Sequence, residues 1–272
     1  MKAPFLASVA LVALTFAGVA QAGPGPTSPL YLSSPNYTLN ILVVQGNSII
    51  QNIPTAYGTQ GESPIAVWGD IRTTGAAGAI YGGQYTLAGI PTGTTYILPG
   101  AVSNAYDSTS DGSHNYLVDF DSGAVYQTAR DFTNPVLLFN SNAYTNVGIT
   151  YDATNNSLWV SGWDNNFTVA DYSLNGTLLS SFSIGHDRNA ALALDPADHT
   201  LWLVNDNSYS PNYGYLEQYS TAGVLLSTGP YVGFGLGGEF DLAPTTPEPG
   251  TLILFGSGIL GLAGVLRRKI NL

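Results

Sequence analysis

The sequence predicts an all-β fold, a five-bladed β-propeller that is closed by its C-terminal strand. Three observations predict it: the composition, an internal repeat of 43 residues, and an incomplete unit at each end of the repeat region. The composition is poor in Lys, Glu, Arg and Met and rich in Gly, Thr, Tyr, Val and Asn. Such a composition favours strands joined by turns over helices.

The repeat is clearest in two consecutive units. Asp152 precedes Trp159 by seven residues, and Asp195 precedes Trp202 by the same seven, each pair lying in a hydrophobic strand pattern. The two Trp residues are therefore expected to be core anchors between repeated units. Hairpin sequences of the form Tyr-Ser-x-x-Gly follow each of them, at residues 172–180 and 219–227.

Fainter copies of the unit complete a ring. Four units begin near residues 63, 102, 145 and 188, while residues 30–53 resemble a unit without its first strand. Residues 238–242 resemble a first strand with no unit after it. A period of 40–45 residues with four strands is typical of a propeller, and pairing the two incomplete ends closes it. Six blades remain an alternative if residues 54–100 contain two irregular units, and a β-sandwich is the third choice.

The N-terminus predicts a signal peptide at residues 1–22. Lys2 is followed by an apolar run and then by the small-x-small site that ends at Ala22. A positive start, a short apolar core and small residues before the cleaved bond are the features that export machinery and signal peptidase require. We expect a signal helix, cleavage after Ala22, and a body that spans residues 23–243.

The C-terminus, residues 244–272, predicts a membrane anchor. Pro247, Glu248 and Pro249 precede an apolar run at about 251–266, and a basic cluster follows at 267–269. Sixteen residues of helix span roughly 24 Å, which is thin for a bilayer of about 30 Å. The basic cluster should remain cytoplasmic, so the body is expected outside.

This tail resembles the PEP-CTERM sorting domain, which also carries the label of an ice-binding protein C-terminal domain. The resemblance implies export from a Gram-negative bacterium, an intermediate anchored in the inner membrane, and processing by an exosortase before display at the surface or in the extracellular matrix. It also makes exopolysaccharide a candidate ligand. The body is similar to the broad NHL/YVTN-like propeller group, without a motif that identifies a ligand.

The charge distribution excludes several classes of function. The net charge is −11, and only three arginines accompany the 18 acids between Glu62 and Glu248, so nucleic acid is not an expected partner. The chain has no Cys, which excludes disulfides and thiol catalysis.

Four aspartates are assigned to one position of the repeat, directly after a strand. They suggest either a ring of metal ligands or a set of turns in which the carboxylate accepts backbone N–H groups, and the repetition favours turns. Residues 107–112 begin like a calcium loop, but Val118 stands where a Glu is required. No metal and no cofactor are predicted. The four aspartates are Asp107, Asp152, Asp195 and Asp241.

A glycine-rich stretch at residues 233–238 matches G-x-G-x-x-G. It precedes a strand instead of opening a helix, so we interpret it as a flexible approach to the closing strand and not as a dinucleotide site.

One loop cluster, His186, Asp187 and Arg188, is the strongest candidate for a ligand site. Arg188 is one of three cations in the body and is expected in a buried pair with Asp187 or a neighbouring carboxylate. Loops before first strands and between second and third strands line one face of a propeller channel. The second set of loops contributes Asp119, Asp121, Trp163, Asp164, Asn165, Asp206 and Tyr209.

Three functions are compatible with these residues. The first is a non-catalytic exported propeller that binds polysaccharide or protein, because no convincing catalytic set is present. The alternative is a lyase or hydrolase that uses His186, Asp187 and Arg188. An ice- or surface-binding protein ranks third, because regular Thr-x-Thr ladders are missing.

Overall fold

The computed structural model describes residues 25–33, 38–58, 61–76, 81–141, 145–164 and 167–244. The predicted signal helix, its cleavage site, the Pro-Glu-Pro motif and the predicted transmembrane helix lie outside the described residues, and the domain boundaries stay predictions. Within the described ranges, no helix has the length and apolar character needed to cross a membrane.

Five four-stranded antiparallel sheets make up the described part of the chain. Four of them are built from consecutive strands, in which turn-forming residues join strands whose apolar side chains are buried on the sheet faces. The strands are β1 (Leu30–Ser33), β2 (Asn40–Gln45), β3 (Ser48–Pro54), β4 (Ile65–Val67), β5 (Ile71–Thr73), β6 (Tyr81–Tyr85), β7 (Pro91–Ile97), β8 (Ser108–Ser110), β9 (His114–Val118), β10 (Ala124–Ala129), β11 (Val136–Asn140), β12 (Asn146–Asp152), β13 (Ser157–Gly162), β14 (Thr168–Ser173), β15 (Leu178–Ser183), β16 (Asn189–Asp195), β17 (Thr200–Asn205), β18 (Tyr215–Tyr219), β19 (Leu225–Tyr231) and β20 (Gly237–Phe240).

The fifth sheet joins the two ends of the body. Its order is β20-β1-β2-β3, so the last strand is the inner strand of a blade whose other strands come first in the chain. Leu30 pairs with Phe240 and Ser33 pairs with Gly237 in an antiparallel register. The predicted five-bladed propeller, closed by a C-terminal strand, is confirmed.

The inner strands β4, β8, β12, β16 and β20 surround the axis and contact one another. Two glycines of β20 allow this approach. A Cβ atom on Gly237 would overlap the Ser63 carbonyl oxygen and lie 2.6 Å from that of Tyr106, and one on Gly238 would lie 2.9 Å from the Ala191 Cβ. The closing strand therefore depends on the absence of side chains at its start.

The hydrophobic cores lie between adjacent blades. Trp202 of β17 is fully buried against Leu30 and Leu32 of the closing blade. Trp159 of β13 is buried against Leu192 and Leu194 of the next inner strand. The prediction that both Trp residues anchor neighbouring blades is confirmed.

Three of the four repeated aspartates form turns. Asp152, Asp195 and Asp241 each accept a hydrogen bond from the backbone N–H two residues later, at 2.8, 2.9 and 3.1 Å. Asp195 also accepts the N–H groups of Thr27 and Ser28 in the next blade. The turn interpretation is correct for these three.

The fourth, Asp107, was assigned wrongly. It lies directly before β8 and not after a strand, because β8 starts at Ser108. Its carboxylate is fully buried and accepts backbone N–H groups from Ser108, Ile149 and Gly238, which belong to three different blades. The sequence pattern placed the end of this inner strand before Asp107, whereas β8 ends at Ser110.

A second buried carboxyl group lies in the centre. Glu239 of β20 accepts the Thr150 hydroxyl of β12 at 3.0 Å, and its own strand supplies the Phe240 N–H. Burial raises the pKa of Glu239 well above its usual range. Burial likewise raises the pKa of Asp107, and the charge of Glu239 raises it further. These two groups connect β8, β12 and β20 across the channel.

Two arginines of the body, Arg72 and Arg130, join two blades. Asp70 forms ion pairs with Arg72 at 2.8 Å and with Arg130 at 2.7 Å, and all three side chains are at most one-fifth exposed. Arg130 also donates to the Ser110 hydroxyl and to Asn115. Asp70 therefore has a structural role between the β4–β7 and β8–β11 blades.

The replacement Gly237→Ala is expected to destabilise the body by about 2–3 kcal/mol, because the new methyl group overlaps two carbonyl oxygens. Urea unfolding followed by Trp fluorescence measures the effect. Gly100→Ala is the control, since a Cβ there meets no atom within 4 Å, and its effect should stay within about 0.5 kcal/mol. Equal midpoints for the two variants would contradict the packing of the closing strand.

Candidate functional site

The propeller has two distinct ends, which we call the mouth and the base. The inner strands begin at the mouth, at Ile65, Ser108, Asn146, Asn189 and Gly237. They end at the base, where the turns to the second strands lie. The loops between second and third strands return to the mouth, so this end collects the two sets of loops that the sequence identified.

A series of backbone hydrogen bonds links these loops around the mouth. Thr145 and Arg188, which lead into inner strands, donate their N–H groups to a loop of the preceding blade. The loop residues Phe120, Trp163 and Asp206 donate theirs to the residue that leads into the inner strand of their own blade. The bonds run from Phe120 N to Asn104 O, Thr145 N to Phe120 O, Trp163 N to Thr145 O, Arg188 N to Trp163 O and Asp206 N to Arg188 O, at 2.7–3.0 Å.

Two members of this series have left-handed backbone conformations. Thr145 has φ of 60° and Arg188 has φ of 58°. Such angles are uncommon for residues other than Gly and turn the chain sharply into the following inner strand. The mouth therefore holds its loop side chains in fixed places by backbone geometry.

Aromatic side chains surround a pocket of about 220 Å³ in this mouth. Tyr106 and Phe120 make an edge-to-face pair with ring centroids 5.3 Å apart, and Trp163 and Phe234 make another at 5.8 Å. All four rings are partly exposed. Edge-to-face pairs are a favoured aromatic arrangement and keep the ring faces in place. The full lining is Tyr106, Phe120, Val147, Trp163, Phe234 and Leu236.

Polar residues support the loop on each side of the pocket. Asp119 accepts N–H groups from Ser103 and Ser122, which fixes the turn that presents Phe120. Burial opposes the charged form of Asp119, but these hydrogen bonds and those of the two Ser hydroxyls outweigh it and lower its pKa. Asp206 is buried and accepts the Gly235 N–H at 3.3 Å, so it lies below the loop that presents Phe234.

The predicted cluster of His186, Asp187 and Arg188 is divided by the structure. Arg188 pairs with Asp164 at 3.5 Å, and the two side chains are 39% and 47% exposed. The predicted pairing of Arg188 with a neighbouring carboxylate is confirmed, but its predicted burial was wrong, since the pair is half-exposed at the mouth, next to Trp163.

His186 belongs to a polar network around Glu217. Its Nε2 atom lies 2.8 Å from Glu217 Oε2, and Nδ1 lies 3.2 Å from the Asp187 carbonyl oxygen. Asn205, Asn212 and Tyr219 donate to the same Glu217 carboxylate. His186 therefore contacts Asn205 of β17 and Glu217 of β18. It is not among the residues that line the pocket.

The pKa values of this pair reflect mutual stabilisation. Burial opposes the charge of His186, but the hydrogen bond and the negative charge of Glu217 outweigh it, and its pKa is raised. Burial likewise opposes the charge of Glu217, while the bonds from His186, Asn205 and Asn212 lower its pKa to about 2.

The calcium-like segment forms a turn. Asp111 accepts the N–H groups of Ser113 and His114 at 2.7 and 2.6 Å, and Gly112 has φ of 88°. Within the part of the chain that the structure describes, no group of three or more His, Asp and Glu residues is placed to hold a metal ion.

Sequence reasoning placed Trp163, Asp164, Arg188 and Asp206 at the mouth, and the structure brings them together there. Asn165 lies outside the described residues. The sequence prediction missed most of the pocket, because Phe234 lies in the glycine-rich stretch and the other rings stand in no recognisable motif. Position in the repeat could have identified them, because each lies at or next to the start of a first strand or in the loop between a second and a third strand. The missed residues are Tyr106, Phe120, Val147, Phe234 and Leu236.

The fold and the tail define a propeller protein with a sorting signal. A family model described as the PEP-CTERM protein-sorting motif matches residues 245–269, directly after the described body. The chain thus carries a PEP-CTERM motif, which implies export, exosortase processing and sorting to the cell surface. A comparison with curated protein sequences finds no match.

Solved structures are similar to the body. A chain from the crystal structure of a nidogen/laminin complex is 13% identical with a TM-score of 0.56, over 79% of this chain and 99% of that one. A functionally unknown protein from Desulfotomaculum acetoxidans is 12% identical with a TM-score of 0.49, over 80% and 88% of the two chains. At 13% identity, the likeness to the nidogen/laminin chain concerns the fold alone.

The pH dependence of stability should reveal the Glu217 network. A pKa lowered from 4.5 to about 2 corresponds to about 3 kcal/mol of stability. This contribution is complete above pH 4.5 and is lost as the pH falls through 2. The raised pKa of His186 has the opposite sign, so its contribution is complete below about 6.5 and is lost as the pH rises through the raised value.

The replacement Glu217→Gln should therefore flatten the stability curve between pH 4.5 and 2 by about 3 kcal/mol relative to the unmodified protein. Urea unfolding at a series of pH values gives both curves. Asp187→Asn serves as the control, because the carboxylate of this neighbour acts on the pKa of His186 through its charge but does not contribute to the lowered pKa of Glu217. Parallel curves for the Glu217 variant and the unmodified protein would rule out the ionised pair.

Proposed function

We propose that this exported propeller is a non-catalytic binding protein that recognises an uncharged polysaccharide segment with the aromatic pocket at its mouth. The observation that carries the proposal is the pocket itself, in which two edge-to-face aromatic pairs present partly exposed rings at the channel opening. Sugar rings have apolar C–H faces that stack on such aromatic surfaces, and pockets with few polar groups are typical of binding sites.

The size of the pocket favours a part of a chain over a whole small ligand. Its volume of about 220 Å³ is below the ~300–1,000 Å³ that is usual for pockets enclosing a drug-sized ligand. It therefore suits one sugar unit, with the remainder of the polymer lying across the mouth.

Exposed aromatic residues extend this surface beyond the pocket. Tyr209 is 92% exposed in a mouth loop, and four further rings lie at strand ends of the same side. Tyr and Phe side chains provide large contact areas at low entropic cost, which suits a shallow polymer site. These four are Tyr81, Phe167, Tyr215 and Tyr231.

The charge of the protein favours an uncharged polymer over a polyanion. Between Glu62 and Glu248 the chain has 18 acids and three arginines. Two of these arginines are paired with Asp70, and Arg188 is paired with Asp164. A polyanion would meet a surface of its own sign, which opposes association.

The non-catalytic character rests on the position of His186. A general base must reach the reacting group, whereas this imidazole is hydrogen-bonded to Glu217 and lies outside the pocket lining. We therefore propose binding in preference to the lyase or hydrolase alternative.

Removing one ring from each aromatic pair tests the proposal. Trp163→Ala and Phe120→Ala should each weaken polysaccharide binding about tenfold, which corresponds to about 1.4 kcal/mol, because each loses a stacking surface. Affinity electrophoresis in gels containing dextran, hydroxyethyl cellulose or polygalacturonate measures the retardation.

Trp68→Ala is the matched control, since Trp68 is also partly exposed but lies in the β4–β5 turn at the base. It should retain binding. Equal loss in all three variants, retardation by polygalacturonate alone, or no retardation by any polymer would contradict the proposal. Near-ultraviolet circular dichroism verifies that each variant is folded.

A further inference from the structure

A ring of exposed aliphatic side chains surrounds the base of the propeller. In every blade, the residues that follow the turn between the third and fourth strands are large, apolar and at least 47% exposed. Apolar surface repeated in this way is unusual on a soluble protein and typically marks an interaction surface. The members of this base ring are Ile49, Ile50, Ile90, Val136, Leu137, Leu178, Leu179, Val224, Leu225 and Leu226.

Strand register places these residues at one end of the molecule. Ile49 pairs with Val44, which pairs with Leu30, which in turn pairs with Phe240 at the base end of the inner strand. In the same way, Leu225 pairs with Tyr219, and that row leads across the sheet towards the end of β16. The other blades have the same order, so the ring follows the base around the propeller.

The two ends of the propeller differ in chemistry. Every member of the base ring is Ile, Leu or Val, whereas five of the seven large apolar residues exposed at the mouth are aromatic in the described chain. A surface that stacks on sugars needs rings, while aliphatic side chains suit contact with hydrocarbon. The asymmetry indicates different partners for the two ends.

Both ends of the described chain leave the body at the base. At the N-terminal side, Ser28 is hydrogen-bonded to Asp195 at the base end of β16. At the C-terminal side, Asp241 follows β20 and accepts the Gly69 N–H of the β4–β5 turn at 2.7 Å. The sorting motif at residues 245–269 therefore begins directly beyond the base.

The connection between the base and the apolar run of the tail is short. Six residues, 245–250, separate Pro244 from the apolar run that starts at Thr251. An extended chain spans at most ~3.6 Å per residue, so this run starts within about 25 Å of Pro244. A bilayer that holds the run must lie close to the base.

The charges at the base are partly neutralised. Asp70 is paired with two arginines, and Asp152 is buried and lies 3.1 Å from the His199 Nε2 atom. Four acids, Asp131, Asp195, Asp198 and Asp241, lie at the base turns without a salt bridge in the described chain. These acids oppose an anionic surface, so an uncharged lipid surface fits this end best.

We propose that the base ring rests on the lipid bilayer while the uncut tail is anchored, so that the mouth faces away from the membrane. The proposal depends on the tail entering the bilayer, but it is independent of what the mouth binds. Ten aliphatic side chains distributed over five blades allow the body to lie flat instead of tilting on a single edge. The bilayer would cover the ring until the tail is processed.

The absence of Cys from the chain permits a direct test. The full chain without residues 1–22, carrying Leu179→Cys or Leu226→Cys, is labelled with a bimane fluorophore and reconstituted in phosphatidylcholine vesicles that contain doxyl-labelled lipid. Tyr209→Cys and Tyr231→Cys provide matched labels at the mouth. All four positions are at least 47% exposed, so labelling should leave the core intact.

We expect doxyl lipid to quench the two base labels at least threefold more than the two mouth labels, in protein that floats with the vesicles. Equal quenching at both ends in floating protein would overturn the docked base while leaving the tail anchor in place. Protein that does not float would also overturn the proposal, because the tail would not reach the bilayer. Disulfide cross-linking of unlabelled Leu179→Cys between two copies would instead identify a second copy as the occupant. Retention by dextran gels is a separate readout for the mouth, so the two proposals can fail independently.

Discussion

The pairing of β20 with β1 is the interaction on which the rest of the structure depends. It joins residues that are more than 200 positions apart in the sequence and converts an open row of five sheets into a ring. Pairing with β20 covers the edge of β1 that would otherwise be left open. It also brings Gly238 and Glu239 into the centre, where they meet Asp107 and Thr150 of other blades. The strand that closes the ring therefore also supplies the central hydrogen bonds.

The direction of the strands in this ring also separates the two ends of the molecule. Because every inner strand runs from mouth to base, the loops that carry aromatic rings meet at one end and the turns that precede the aliphatic residues meet at the other. The closing strand starts beside the aromatic pocket and ends at the base, from which the chain leads to the sorting motif. The proposed polymer site and the proposed anchor lie at opposite ends because of this single strand direction.

Much of the fold was predictable, because the spacing of Asp and Trp residues in two units is dictated by a turn and an interblade contact. In the structure Asp195 forms the turn and Trp202 makes the interblade contact, and their spacing predicted the order of the strands. Asp107 misled the prediction because β8 starts only after it; the residue that follows β8 and accepts the N–H two residues later is Asp111. The site was less predictable. Trp163 and Arg188 were placed correctly by topology, but the partner of His186 is Glu217, 31 residues away, and no local pattern indicates it.

Hydrogen exchange of the strand amides tests the central account most directly. If closure holds the ring together, the amides of Leu30–Ser33 and Gly237–Phe240 that pair between β1 and β20 should exchange only through global unfolding, with the same free energy as the inner strand β16. Exchange of the β1 and β20 amides at a markedly lower free energy than those of β16 would show that the ring opens while its blades remain folded, and would contradict the account.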